Sequence, residues 1–174
     1  MGNQSKTTLL SHIISILLLP FNVTVIIPSI LIYFLHHTVL WGQEGSFSIL
    51  LLLFGIVITL FGFFLVIVTV LQFAKKGKGT LAPWNPPKKL VVSGPYRHTR
   101  NPMISGVAFI LLGESLIVGS LPLLFWFLFF TVVNYVYFIV REEPLLEKKF
   151  GEEYVEYKKN VPRLFPRRTR WSSE

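Results

Sequence analysis

The chain has 174 residues, of which 52% are hydrophobic and 15% charged, with a formal net charge of +8. A mean hydropathy of +0.57 is too high for an ordinary soluble protein, and the length fits one domain, residues 1–174. With no cysteine, disulfides, thiolate metal sites and a cysteine nucleophile are excluded.

The positive charge is not a nucleic-acid signature, and no nucleic-acid partner is expected. Basic residues sit in two segments that flank apolar stretches, as in integral membrane proteins. Residues 9–35 carry no charge. Pro20 and Pro28 interrupt them, so they read as one kinked span or as a shorter span with an interfacial turn. No signal peptide is expected, because Pro20 is followed by further apolar sequence without a clear small-residue cleavage site. His36 and His37 are adjacent and do not read as a metal site, and no metal is expected elsewhere.

Residues 47–73 are uncharged and long enough to cross a membrane with tilt, since a span needs about 20 residues. Gly55 and Gly62, seven apart on one face, permit close helix approach. The connector 75–87, KKGKGTLAPWNPP, excludes regular structure and holds Trp84 as an interfacial anchor. Ser93-Gly94-Pro95-Tyr96 reads as a turn. Asn101-Pro102 reads as a helix start, with Asn101 a possible cap and Pro102 at the first helical position.

Residues 102–118 and 121–140 are two further apolar spans. The Gly119-Ser120 link between them is short enough for a helical hairpin. Glu114 is the only acidic residue inside any span. Three readings are open for it: lining an acceptor cavity, pairing with Asn134, or reaching outward. Glu142-Glu143 closes the last span and calls for a cation, either Arg97 or Arg100 or the ammonium of a ligand. Beyond it Leu145, Leu146, Phe150, Tyr154, Tyr157 and Val161 recur at helical spacing among charged residues, as in an amphipathic helix. The cations gather in the second connection and the tail. With four spans, the positive-inside rule puts both termini and that connection in the cytoplasm.

The segment LVVSGPYRHTRNPMISG (90–106), Glu142-Glu143 and FGEEYVEYKKNVPR (150–163) together resemble the isoprenylcysteine carboxyl methyltransferase and phospholipid methyltransferase family of membrane enzymes. The family hallmark is Arg-His-Pro-x-Tyr-x-Gly with a distant Glu-Glu. Here Asn101 stands for the histidine and Ile104 for the tyrosine. The resemblance implies an all-α integral membrane protein. About four transmembrane helices are expected, with a cytoplasmic loop and C-terminal amphipathic helix forming the cofactor site.

It also implies S-adenosylmethionine as the methyl donor. Lys88, Leu90, Val91, Tyr96, Asn101, Pro102, Met103, Ile104 and Glu142 would line the cofactor pocket. Arg100, His98 and Glu143 are the candidate catalytic residues. An arginine, Arg97, Arg100 or Arg141, would orient a carboxylate acceptor. His98 or a glutamate would serve as base for an amine. The acceptor implied is a lipophilic small molecule or lipid-modified group entering from the membrane lipids. Two other readings remain: an NADPH-dependent membrane reductase of related architecture, and a non-catalytic protein that retains the fold.

Overall fold

The computed structural model describes residues 17–35, 46–76, 90, 92–164 and 166–171. A π-wound segment, Leu17–Ile26, leads into α1 (Ile27–Leu35). Pro20 lies inside the π-wound segment and has no N–H for the helical ladder. Its carbonyl accepts from Thr24 Oγ1 at 2.8 Å. The long helix α2 (Ser46–Lys76) follows, then a 3-10 turn (Gly94–Arg97) and α3 (Pro102–Val118). After α4 (Leu121–Tyr137) a π-wound turn, Phe138–Glu142, continues into α5 (Glu143–Phe150), and α6 (Glu152–Asn160) completes the order.

The α2–α3 contact is a glycine seam. A Cβ on Gly62 would meet Gly106 O at 2.7 Å, and one on Gly113 would meet Gly55 O at 2.7 Å. The helices therefore run antiparallel with their backbones close together, as small residues allow. Gly55 and Gly62 are legible in the sequence as half of this seam. Gly106 and Gly113, also seven apart, supply the other half. Gly119 adopts left-handed backbone (φ 66°) and donates its N–H to Ser115 O, which ends α3 and turns the chain into α4. The expected hairpin is thus formed. Trp126 on α4 donates to Val23 O at 3.1 Å and fastens the N-terminal segment to it.

The expectation of about four transmembrane helices is corrected. Among the described residues two helices are long and apolar enough to cross a membrane, Phe47–Gln72 and the continuous helix Leu121–Phe150. The 17 residues of α3 rise about 26 Å at 1.5 Å each, short of a hydrocarbon layer of about 30 Å. Pro20–Leu35 is shorter still and partly π-wound. The expected bounds 102–118 hold, but the 17 residues between Pro102 and Gly119 fall short of the about 20 a span needs. The two long helices expose large apolar side chains, among them Leu60 at 63% and Phe129 at 59%. A core helix of a soluble protein would bury them, so this surface calls for membrane association. The uncharged stretch 121–140 alone suffices to cross, which leaves Arg141 and the glutamates beyond the apolar layer.

The amphipathic tail is two helices rather than one, broken at Gly151. Its inner face forms a small core. Tyr154, Tyr157 and Val161 are buried, and Leu90, Val92, Leu146, Phe150 and Trp171 pack around them. Leu145 points outward.

Candidate functional site

After α6 the chain returns as an extended strap beside residues 97–105. The Arg100 N–H donates to Pro162 O (2.9 Å), the Arg167 N–H to His98 O (2.9 Å) and the Trp171 N–H to Arg97 O (3.2 Å). Thr99 Oγ1 donates to Arg163 O at 2.8 Å, and Ser105 Oγ donates to Leu164 O at 3.1 Å. Residues 98–101 and the described strap residues are not helical, so each segment satisfies backbone groups of the other. The Asn101 side chain makes no cap bond. The backbone carbonyl of Asn101 accepts from Ser105 N (3.1 Å) and Ser105 Oγ (3.0 Å). Pro102 does sit at the helix start and is fully buried.

The strap carries a cation to Glu143. Arg163 Nε and Nη2 donate to the two carboxylate oxygens at 2.6 and 3.0 Å. Arg100 Nη1 lies 2.9 Å from Oε1 as an ion pair, without the alignment of a hydrogen bond. Lys158 stands at 3.4 Å from Oε2 and also bonds Glu147. The Arg163 guanidinium rests over the Tyr135 ring, 4.9 Å from its centre. Burial alone would raise the Glu143 carboxyl. The Arg163 hydrogen bond and the Arg100 and Arg163 charges outweigh burial and hold it below the ordinary range.

Glu142 is different. It forms no ion pair or hydrogen bond with any described residue, and burial, then the Glu143 charge, push its carboxyl up to about 7. It lies close enough to Tyr96 to add to the effect of burial in raising that phenol. The Tyr157 hydroxyl donates to Tyr96 O at 2.6 Å, and burial first, then Tyr96, raises its own ionisation. Burial pushes the Tyr154 phenol up to about 12, so all three tyrosines are neutral at physiological pH.

His98 faces the other side of this segment. Its Nδ1 is 2.9 Å from Arg167 O. A carbonyl only accepts, so Nδ1 carries a proton and the neutral ring keeps its lone pair on Nε2. His98 lines a cavity of about 460 Å³ between α2, the 3-10 turn, α3 and the strap. Phe61, Phe64, Leu65, Val68 and Phe109 wall one end, and Gln72, Arg97 and Arg170 stand at the other.

The structure thus brings Tyr96, Arg100, Glu142 and Glu143 together, with Leu90 in the adjoining core and Asn101, Pro102, Met103 and Ile104 opening α3 directly after Arg100. His98 stands apart from the glutamates. Lys88 and Val91 lie outside the described residues, as do His36, His37 and Trp84. Glu114 does not line the cavity. Its Oε2 has no partner among the described residues, and the Asn134 amide donates within its own helix to Phe130 O. Arg163 was not among the expected site residues, although it ends the family-like stretch 150–163 and follows the proline that stops α6.

The family model for phospholipid methyltransferase matches residues 50–153, more than half of the chain. The chain belongs to the phospholipid methyltransferase family. No curated protein and no solved structure gives a significant match. The match runs from α2 into α6, so it contains the Tyr96–Gly106 segment, both glutamates and the glycine seam. Membership of the phospholipid methyltransferase family supports S-adenosylmethionine-dependent methyl transfer at a membrane as the general chemistry.

Proposed function

We propose that the protein transfers a methyl group from S-adenosylmethionine to a lipophilic acceptor, at a site on the cytoplasmic face of the membrane. The observation that carries this reading is the inequality of the two glutamates. Glu143 is neutralised by Arg100 and Arg163, while Glu142, beside Tyr96, is left without a cation. One uncommitted carboxylate near the start of α3 suits a ligand with an ammonium. The first N–H groups of α3, at Met103 and Ile104, have no carbonyl one turn back within the helix and suit a ligand carboxylate. Half-buried Leu90, Met103 and Ile104 offer apolar contact beside them. This donor set fits the methionine end of the cofactor.

When bound, the cofactor supplies an electrophilic sulfonium methyl, so the protein's task is chiefly alignment and exclusion of water. Glu142 binds the ammonium in this scheme. Arg100 and Glu143 hold the 97–101 segment against α5. His98, protonated on Nδ1 by its bond to the strap, keeps Nε2 free to take a proton from an acceptor that carries one. The C-terminal ends of α2 and α4, each followed by cation-rich sequence, lie at the same end of the molecule, since Gln72 abuts Gly94 and Arg100 meets Glu143. The positive-inside rule then assigns that end to the cytoplasm.

The test is calorimetric titration of the detergent-solubilised chain with S-adenosylmethionine and S-adenosylhomocysteine, with NADPH as a control. Saturable binding that is lost in the Glu142→Ala/Glu143→Ala variant is expected. Binding of NADPH instead would favour a reductase, and binding of neither to folded protein would favour a non-catalytic member of the family.

A further inference from the structure

Charge is segregated across α5. On its inner side Glu143 and Glu147, one turn apart, meet Arg100, Arg163 and Lys158. On its outer side stand Arg141, Lys148 and Lys149, all exposed, with exposed Leu145 between them. No carboxylate pairs with any of these three cations among the described residues. Glu152 and Glu153 follow Lys148 and Lys149 at the four-residue spacing that pairs charges along a helix, but the helix breaks between them at Gly151 (φ 59°). The exposed residues of α6 include Glu152, Glu153 and Glu156, so the purely cationic face is confined to α5 and the turn before it.

That face continues the lipid-facing stripe of α4, because Leu121–Phe150 runs as one helix. Val133, Val136, Tyr137 and Val140 are exposed, and Arg141, Leu145 and Lys148 follow them at steps of three and four along the same side. The uncharged residues 121–140 rise about 30 Å, which matches a hydrocarbon layer. Arg141 is the first residue beyond that layer, and Lys148 stands about 10 Å further along the helix. The headgroup layer is about 5–8 Å deep on each side, and the long stems of arginine and lysine reach back along apolar surface. The phosphate level of the leaflet therefore falls between Arg141 and Lys148. Tyr137, one turn before Arg141, sits where aromatic side chains anchor a span at the interface.

From this segregation we infer that the outer face of α5 docks a resident boundary lipid with a net negative headgroup, its phosphate between Arg141 and Lys148 and its chains along Val136, Tyr137 and Val140. Leu145, apolar and exposed among the cations, enters the leaflet beside the headgroup. A zwitterionic lipid brings its own cation into the same layer, where Arg141, Lys148 and Lys149 repel it, and a net anionic lipid does not. This lipid is a structural partner and is not consumed. Arg141 and Leu145 are each two residues from Glu143, on the opposite side of the helix, so the docking face points away from the glutamates and Tyr96. What the lipid does is hold the helix that carries Glu142 and Glu143 at a fixed depth, and this holds with or without a bound cofactor.

The experiment uses the full chain in phosphatidylcholine nanodiscs and two trace photoreactive lipids, a phosphatidylglycerol and a phosphatidylcholine with identical diazirine-bearing chains. Peptide mass spectrometry locates the adducts. The phosphatidylglycerol probe should label residues 136–149 about fivefold more than the phosphatidylcholine probe, or better, since each cation near the surface attracts an anionic lipid by about that factor. Arg141→Gln/Lys148→Gln/Lys149→Gln should bring the two probes to parity in this segment. Lys159→Gln/Arg168→Gln removes exposed cations from α6 and the strap and should leave the preference in place. Equal labelling of residues 136–149 in the wild-type chain would overturn the inference without recourse to any variant. A preference lost equally in both variants would reduce it to attraction by net charge and overturn it as well. Suppression by soluble glycerol phosphate would replace the lipid with a free oxyanion, and a dimer on native mass spectrometry whose 136–149 segment takes no lipid adduct would give the face to a second copy of the chain. S-adenosylmethionine titration of the same nanodiscs is scored separately, so failure of the methyltransferase reading and failure of the lipid site remain distinct.

Discussion

Arg163 grips Glu143 through two parallel hydrogen bonds, Nε to Oε1 at 2.6 Å and Nη2 to Oε2 at 3.0 Å. The pair joins the strap to the start of α5. The Glu143 side chain is 5% exposed, Arg163 20% and Lys158 37%. Three cations therefore surround one carboxylate, but they are not equivalent.

Arg163→Gln should lower stability by about 3 kcal/mol. That is the low end of what breaking a buried pair costs, because Arg100 remains as a partner. Lys158→Gln acts on an exposed pair and should cost less than about 1 kcal/mol. Thermal unfolding of both variants in detergent checks the ranking. A Lys158 variant as unstable as the Arg163 variant would mean the exposed lysine contributes more than its position indicates.

The same carboxyl sets an acid limit. Its folded-state ionisation lies below the unfolded value, so its contribution is fully present above about pH 4.3 and is lost as pH falls through the lower folded value. In Arg163→Gln the folded value rises toward the unfolded one. The Glu143-linked loss of stability on acidification should then shrink. Unfolding midpoints measured from pH 6 down to pH 3 for both proteins test this.

The uneven legibility of the chain has a physical basis. Local signals were readable: Pro102 opening α3, the Gly119-Ser120 link, the 93–96 turn, and one face of the amphipathic tail. Glu142-Glu143 announced a cation, and Arg100 is one of those it met. Arg163 was hidden because it reaches Glu143 from 20 residues downstream, across a helix break at Gly151 that charge patterning does not reveal. The strap has no periodicity, since its backbone bonds go to residues some 64 positions away. The span count failed for another reason. The bounds of α3 were read correctly, but its 17 residues are fewer than the about 20 a crossing needs, and apolar character alone was taken as enough.

The glycine seam should be intolerant of volume. Gly106→Val would set a side chain against Val66 Cγ2, where even a Cβ lies at 2.8 Å, and against Gly62 O at 3.0 Å. Overpacking of this kind costs about 1–3 kcal/mol. The variant should unfold earlier, and the equally conservative Phe54→Leu change on the exposed face of α2 should not. Matching thermal curves for the two would show that the helices can separate at no cost.

Glu142 predicts a pH dependence of cofactor affinity. Its carboxyl is raised to about 7, and only the ionised form holds an ammonium. Affinity for S-adenosylmethionine should therefore rise with pH through that value. Between pH 8 and pH 6 the apparent Kd should weaken about tenfold, in proportion to the ionised fraction. Glu142→Gln should bind weakly at every pH and remove the slope, with thermal stability unchanged or improved because a buried charge without a cation is gone. A slope that survives in Glu142→Gln would assign the titration to another group.

His98 offers the sharpest separation of structure from chemistry. Its Nδ1 proton goes to Arg167 O, while Nε2 has no partner among the described residues. Asparagine places an amide N–H near the position of Nδ1 and nothing at Nε2. His98→Asn should keep the strap closed and leave S-adenosylmethionine binding intact, yet slow turnover of any acceptor that must lose a proton by roughly 10²-fold or more. A carboxylate acceptor loses no proton, and its turnover should be little changed. His98→Ala removes the strap bond as well and should reduce both. Comparing kcat for the two variants, with protease sensitivity of residues 164–171 as a readout of the strap, decides between a proton acceptor and a structural histidine. Equal kcat in His98→Asn and wild type for an amine acceptor would leave His98 with the strap alone.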